Sequence, residues 1–207
     1  MSAPMPVNDG GEGTARWRPA VLLLNRHPAA FSALVAALAF ASTLRNQPVL
    51  DDGWAVLDNP IVRTLDVSRA FGAQYGYAGG ATLQGPYRPL ATLSWALQYA
   101  IHGRAPLGYH LVNVLLHALA SGLVALVARR VLGAAASSRV PLGRPWVGGE
   151  AGALGAGLLF ALHPAHVEAV APIVARTDVL AAAGGLAALL LALGPPRPAR
   201  LAGAFAA

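Results

Sequence analysis

The sequence predicts an all-α integral membrane protein with about four transmembrane helices and an amphipathic surface helix in a large first extracytoplasmic loop. Three observations predict it. The 207 residues are 56% hydrophobic and only 12% charged, with mean hydropathy +0.52, whereas a soluble domain carries about a quarter of its residues as charges. Four long apolar stretches are bounded by arginines or by Gly/Pro-rich segments. The arginines also distribute unevenly between the two sides that those stretches define.

Residues 1–26 are rich in Gly, Pro and polar side chains and read as a disordered cytoplasmic N-terminus. The membrane domain covers 27–193. Its helices are expected at about 27–44, 109–128, 147–167 and 177–193, each close to the ~20 apolar residues that cross a bilayer core. The last is short and is expected to tilt or to sit in a thin membrane. A cleavable signal peptide is the rival reading of the first stretch, because Ala39-Phe40-Ala41 has the look of a cleavage site. The segment before that stretch is far longer than a normal n-region.

The extracytoplasmic loop is 45–108 and the cytoplasmic loop 129–146. Within the first, Pro89–Ile101 is apolar but too short to span. Leu90, Leu93, Leu97 and Ile101 recur at helical spacing, and Trp95 and Tyr99 suit a membrane interface. This segment reads as a helix lying on the outer surface. Residues 194–207 read as a cytoplasmic turn and the start of a truncated further helix, so the chain reads as the first part of a longer protein.

With the N-terminus inside, the inner side holds Arg16, Arg18, Arg26, Arg129, Arg130, Arg139, Arg144, Arg197 and Arg200. The outer side holds Arg45, Arg63, Arg69, Arg88, Arg104 and Arg176. Dense arginine in short inner segments favours this orientation. It also accounts for the net charge of +6 without nucleic acid as a partner. The absence of Cys excludes disulfides and thiolate zinc sites, and the absence of Lys excludes Schiff-base chemistry.

Ionisable groups near a bilayer are costly and mark candidate sites. Asp51-Asp52 follows the first span. Adjacent carboxylates suit a general base, or else form a solvated turn. His110, Asn113, His117 and Ser121 form one stripe on the second span. That stripe must face protein or water, as a functional group or as interhelical glue. His163, His166 and Glu168 flank Pro164, with Arg176 and Asp178 beyond. This third cluster can ligate a divalent cation, bind phosphate, or cap helices. No cofactor is certain, and a divalent cation is the one considered.

The succession of motifs carries a resemblance. It runs Asp51-Asp52, Asn59-Pro60, Tyr87-Arg88-Pro89-Leu90, Gly108-Tyr109-His110-Leu111-Val112-Asn113 and Leu116-His117-Ala118. It continues with Leu158-Leu159-Phe160-Ala161-Leu162-His163-Pro164, His166-Val167-Glu168-Ala169-Val170 and Arg176-Thr177-Asp178-Val179-Leu180. It resembles the N-terminal part of the transmembrane and tetratricopeptide-repeat protein O-mannosyltransferases and their bacterial relatives. The resemblance covers Asp51 to about Leu193; Ala175 and Pro172 depart from it, and no tetratricopeptide repeat is present.

The resemblance implies the N-terminal part of a type C glycosyltransferase fold. The implied reaction transfers a sugar from a polyprenyl-phosphate donor to a Ser/Thr hydroxyl of an acceptor protein. It takes place on the extracytoplasmic side of what would be a bacterial inner membrane. By that resemblance Asp51 or Asp52, with Asp51 preferred, is the catalytic base. Arg176, His163 and His166 bind the donor phosphate. Glu168, Asp178, His110, Arg88 and Asn113 support the site. A non-enzymatic membrane scaffold and a transporter-like subunit are the alternatives.

Overall fold

Apolar runs punctuated by Pro and Gly set the limits of the helices. The computed structural model describes residues 26–72, 87–137 and 149–194. The expectations for 1–25, for 138–146 and for 195–207 lie outside the described residues. All regular structure among the described residues is helical.

Helix α1, Pro28–Ala39, opens with proline at its first position, where the missing N–H has no partner to lose. A 3-10 turn, Ala41–Arg45, continues it, and the Thr43 hydroxyl donates to the Phe40 carbonyl at 2.7 Å. The acid pair leads into a π-helical turn at Asp52–Leu57. Asn59 then caps α2, Pro60–Thr64, its side chain accepting from the Ile61 N–H at 2.9 Å. Short α3, Val67–Gly72, follows.

Helix α4, Pro89–His102, ends at Gly103 with φ +60°, a backbone state that suits glycine. Helix α5, Pro106–Ser137, is the longest. Helix α6, Gly149–Leu162, stops at His163-Pro164 and is followed by short α7, His166–Val170. Helix α8 is Arg176–Ala192.

Helix α5 is the central post: α1, α6 and α8 all pack on it, and α1 also packs on α6. Small side chains let them close in. Ala36, Ala118 and Ala161 are buried together against Ala33 and Ala37. A Cβ on Gly157 would lie 2.8 Å from Ser32 Cβ and 2.9 Å from Ala125 Cβ, in contact with the backbone-bound part of both neighbours. Backbones separated only by small residues gain dispersion contact along their length. Gly157→Val is therefore expected to cost about 1–3 kcal/mol through overpacking. It should lower the melting temperature in detergent, whereas the same change at Gly155, where a Cβ meets nothing within 4 Å, should not.

A second core lies under the acid loop. Ala55, Val56, Leu57, Val62, Trp95, Tyr109 and Ile173 are buried there as one cluster. It joins the π-helical turn, α2, α4, the start of α5 and the chain before α8.

Several expectations need correction. Helix α5 starts before residue 109 and runs on through 129–137, so that part of the expected cytoplasmic loop is helical. The third helix ends at Leu162, not 167, because Pro164 cannot continue it. Trp95 is fully buried rather than at an interface; α4 turns Ala91, Thr92, Trp95, Ala96 and Gln98 inward and leaves Leu90, Leu97 and Ile101 exposed. Among the described residues one helix, α5, is long and apolar enough to cross a bilayer alone; α1 and α6 are apolar but shorter. Exposed Leu107, Leu111, Leu115 and Leu119, four apart, form one apolar face of α5.

Candidate functional site

The two adjacent acids have opposite fates. Asp52 is fully buried, and its two carboxylate oxygens accept from the Val174 N–H at 2.8 Å and the Val49 N–H at 3.1 Å. It therefore ties the acid loop to the chain just before α8. Asp51 is exposed and, among the described residues, accepts only from the Trp54 indole N–H at 3.0 Å, itself an exposed contact. One carboxylate is thus structural in position, and its neighbour is presented to whatever approaches the loop.

The opposite strand of this junction is held from α5. The Asn113 side-chain amide donates to the carbonyls of Pro172, at 2.8 Å, and Val170, at 3.3 Å. Its carbonyl oxygen accepts from Arg176 Nε at 2.9 Å. Arg176 completes the knot, donating from Nη2 to the Tyr109 carbonyl at 2.8 Å and from Nη1 to the Ser94 hydroxyl at 3.2 Å. Its guanidinium carbon also stands 5.9 Å from the centre of the Tyr109 ring, within reach of a cation–π attraction.

Arg176, expected to bind the donor phosphate, is fully buried. Its partners are Asn113, Ser94 and Tyr109, and neither His163 nor His166 is among them. The sequence reading missed Ser94 and Tyr109. Ser94 had a signal: with Thr92 and Gln98 it broke the apolar pattern of α4 on the face that turns inward.

The polar stripe on α5 faces protein. His110, Asn113, His117 and Ser121 are all buried. The His117 Nε2 lies 3.2 Å from the Ala161 carbonyl, and the Ser121 hydroxyl donates to the His117 carbonyl at 2.8 Å. Neither ring nitrogen of His110 completes a hydrogen bond, although the Asp52 carboxylate and the Asn46 and Ala171 backbones are its polar surroundings.

The third cluster is aromatic in character. The His166 ring lies 5.0 Å from His117, 4.3 Å from Phe160 and 5.7 Å from His163, centre to centre. Desolvation, helped by nearby His163, pushes the His166 pKa below its ordinary value, which favours the neutral ring. The cation-ligating reading of His163, His166 and Glu168 is not met: among the described residues no three metal-binding side chains come together. A cavity of about 380 Å³ lies beside His163, walled by Phe40, Thr43, Asn46, Pro164 and Ala171.

Asp178 is exposed at the start of α8. Arg88 Nη1 donates to the Thr177 hydroxyl at 3.0 Å, which places it at the mouth of a larger cavity of about 650 Å³ between α4, α5 and α8. On the far side of the loop, Arg104 is bonded to the Asp58 carboxylate. That bond holds Asp58 below the ordinary carboxylate value, and Arg104 above its own. A depressed folded-state pKa contributes stability above the unfolded value and loses it as pH falls through the folded one. The melting-temperature advantage of wild type over Asp58→Asn should therefore be present at pH 7 and vanish on strong acidification. Both groups are exposed, so the advantage is small.

These features define a class: an apolar chain, helical throughout its described residues, whose acid loop is pinned by a buried polar knot next to an apolar groove. Comparison with known proteins gives the family. The chain is 42% identical over 154 residues to "Protein O-mannosyl-transferase Tmtc1" of Drosophila melanogaster, covering 70% of this chain and 16% of that protein. It is 37% identical over 176 residues to "Protein O-mannosyl-transferase TMTC1" of Mus musculus, covering 83% and 17%. To "Protein O-mannosyl-transferase TMTC2" of the same species it is 46% identical over 104 residues, covering 50% and 11%.

The chain is a homologue of the protein O-mannosyl-transferases over these residues, as its motif succession implied. It spans about a sixth of the length of the first two. No family model and no solved structure matches it. The relatives named are animal proteins, so the comparison does not carry the bacterial membrane expected from the sequence.

Proposed function

We propose that the protein transfers a sugar from a polyprenyl-phosphate donor to a Ser/Thr hydroxyl of an acceptor protein. Kinship with proteins named protein O-mannosyl-transferases carries this reading. In it, α1 with its 3-10 turn, α5, α6 and α8 cross the bilayer, and the N-terminus is cytoplasmic. The loop 45–108 and the turn 163–175 then share the extracytoplasmic side. The exposed leucines of α4 and α5 support contact with lipid.

Asp51 takes the proton from the acceptor hydroxyl as that oxygen attacks the anomeric carbon. The bond from that carbon to the phosphate oxygen breaks, and the lipid phosphate leaves with the electron pair. A free hydroxyl is a poor nucleophile, and a positioned base supplies about 10²–10⁴-fold. Asp52 keeps Asp51 in place by holding the loop to Val174. His163 and His166 keep the part that the resemblance implies, as further hydrogen-bond donors to the departing phosphate. Arg176, with three protein acceptors of its own, holds the site together rather than the phosphate.

The test uses the protein at its full natural length in membrane vesicles, with a polyprenyl-phosphate-linked mannose and a Ser/Thr peptide. Mannosylated peptide should form, and changing Asp51 and Asp52 together to Ala should abolish it. Unchanged transfer by that double variant would sink the reading, and a folded protein that forms no product would favour a scaffold.

A further inference from the structure

We infer that Arg88 and the groove between α4, α5 and α8 form the seat of a lipid phosphate, the anion on Arg88 and the chain along the groove. The inference rests on the proposed transfer reading and gives the donor a place within it. The groove holds about 650 Å³ and is walled almost wholly by apolar groups. Leu116, Leu119 and Leu123 form one side, from α5; Leu180 and the small residues Ala183 and Gly184 form the other, from α8. Small residues on α8 leave the trough open, and a mainly apolar wall gives little reason for water to stay there.

Only the mouth is polar. Arg88 precedes α4, and its Nη1 is fixed by the Thr177 hydroxyl at 3.0 Å. Thr177 turns its own hydroxyl toward Asp178 at 3.4 Å, so the carboxylate acts on Arg88 through the threonine. Among the described residues no carboxylate comes within ion-pair distance of Arg88, whereas Arg69, Arg104 and Arg129 each have one. Its Nε and Nη2 are left with no hydrogen-bond partner among the described residues. A planar fork with two donors in hand suits a phosphate.

Arg176 is one residue from Thr177 but is fully buried, and each of its three nitrogens is already bonded to the protein, so it does not reach the groove mouth. The occupant that matches a cation at one end and a hydrocarbon trough behind it is a single-chain lipid with a phosphate head. Charge complementarity thus selects this ligand over a neutral lipid, and another segment of the longer protein is the outcome the experiment must exclude.

The experiment measures binding of radiolabelled farnesyl phosphate to the full-length protein in detergent. Farnesol and inorganic phosphate compete separately as the two halves of the ligand. Farnesyl phosphate is expected to bind at least tenfold more tightly than farnesol, and inorganic phosphate at the same concentration should not displace it. Arg88→Gln should weaken binding about tenfold, Arg88→Lys less, and Gly184→Leu, which fills the trough, should abolish it. Each variant is checked for an unchanged melting temperature.

Asp51→Asn separates the two ideas: it should bind farnesyl phosphate as wild type does, whatever its transfer rate. Binding that ignores both Arg88→Gln and Gly184→Leu would overturn the inference. So would displacement by inorganic phosphate alone, which marks a free-anion site. Failure of any farnesyl phosphate to bind the full-length protein would mean that another segment of the protein fills the groove, and would overturn it too.

Discussion

Arg176→Ala is expected to destabilise the protein by about 3–5 kcal/mol, summing a large buried cavity and orphaned acceptors. The side chain is fully buried and spans three elements: α4 through Ser94, α5 through Asn113 and Tyr109, and α8 on which it sits. Deleting it strips the Asn113 carbonyl oxygen of its donor, and the same Asn113 amide holds the carbonyls of Val170 and Pro172. The loss thus spreads to the chain that Asp52 grips at Val174.

Arg176 has no acid partner among these contacts, so its removal also recovers some cost of burying a charge. Arg176→Met keeps much of the volume and should therefore lose less than Arg176→Ala. The check is thermal melting in detergent. A wild-type melting temperature for Arg176→Ala would show that the knot does not hold the fold.

The second large effect falls on rate. Asp51→Asn is expected to lower sugar transfer at least about 100-fold, the lower end of what a positioned base supplies. Its melting temperature should hardly move, since the residue is exposed and loses one exposed hydrogen bond. Asp52→Asn should do the reverse in kind. Its amide cannot accept from both the Val49 and Val174 N–H groups without turning an NH₂ toward one of them. Stability should fall first, with rate following as the loop loosens. Similar melting losses for the two variants would remove the distinction between them.

Much of the architecture was legible because apolar length and Pro/Gly punctuation act locally. The helix starts at Pro28 and Pro89 and the break at Pro164 are written in single residues, whereas the start at Pro106 lies ahead of the 109 that the apolar run suggests. The inward turn of His110, Asn113, His117 and Ser121 follows from angular spacing alone. The length of α5 beyond 128 was not legible, because Arg129-Arg130 reads as the end of an apolar run while being a good helix former.

The site was legible in its members and not in their roles. Nothing in the pair Asp51-Asp52 tells which carboxylate is buried; that depends on Val174, more than a hundred residues away. Arg176 looked like a phosphate clamp because its planar fork fits phosphate oxygens. Its partners Ser94, Tyr109 and Asn113 come from two other helices, and only the fold brings them to it. The small residues of α8 gain meaning only opposite Arg88 and the leucines of α5.

The central claim is that exposed Asp51 does the chemistry on a loop that Asp52 and Arg176 hold in place. Single-turnover transfer tests it most directly, with full-length protein in excess over a polyprenyl-phosphate-linked mannose and a saturating Ser/Thr peptide. Asp51→Asn should slow the chemical step by about 100-fold or more while donor binding and melting temperature stay at wild-type values. A chemical step within a few-fold of wild type in Asp51→Asn would contradict it.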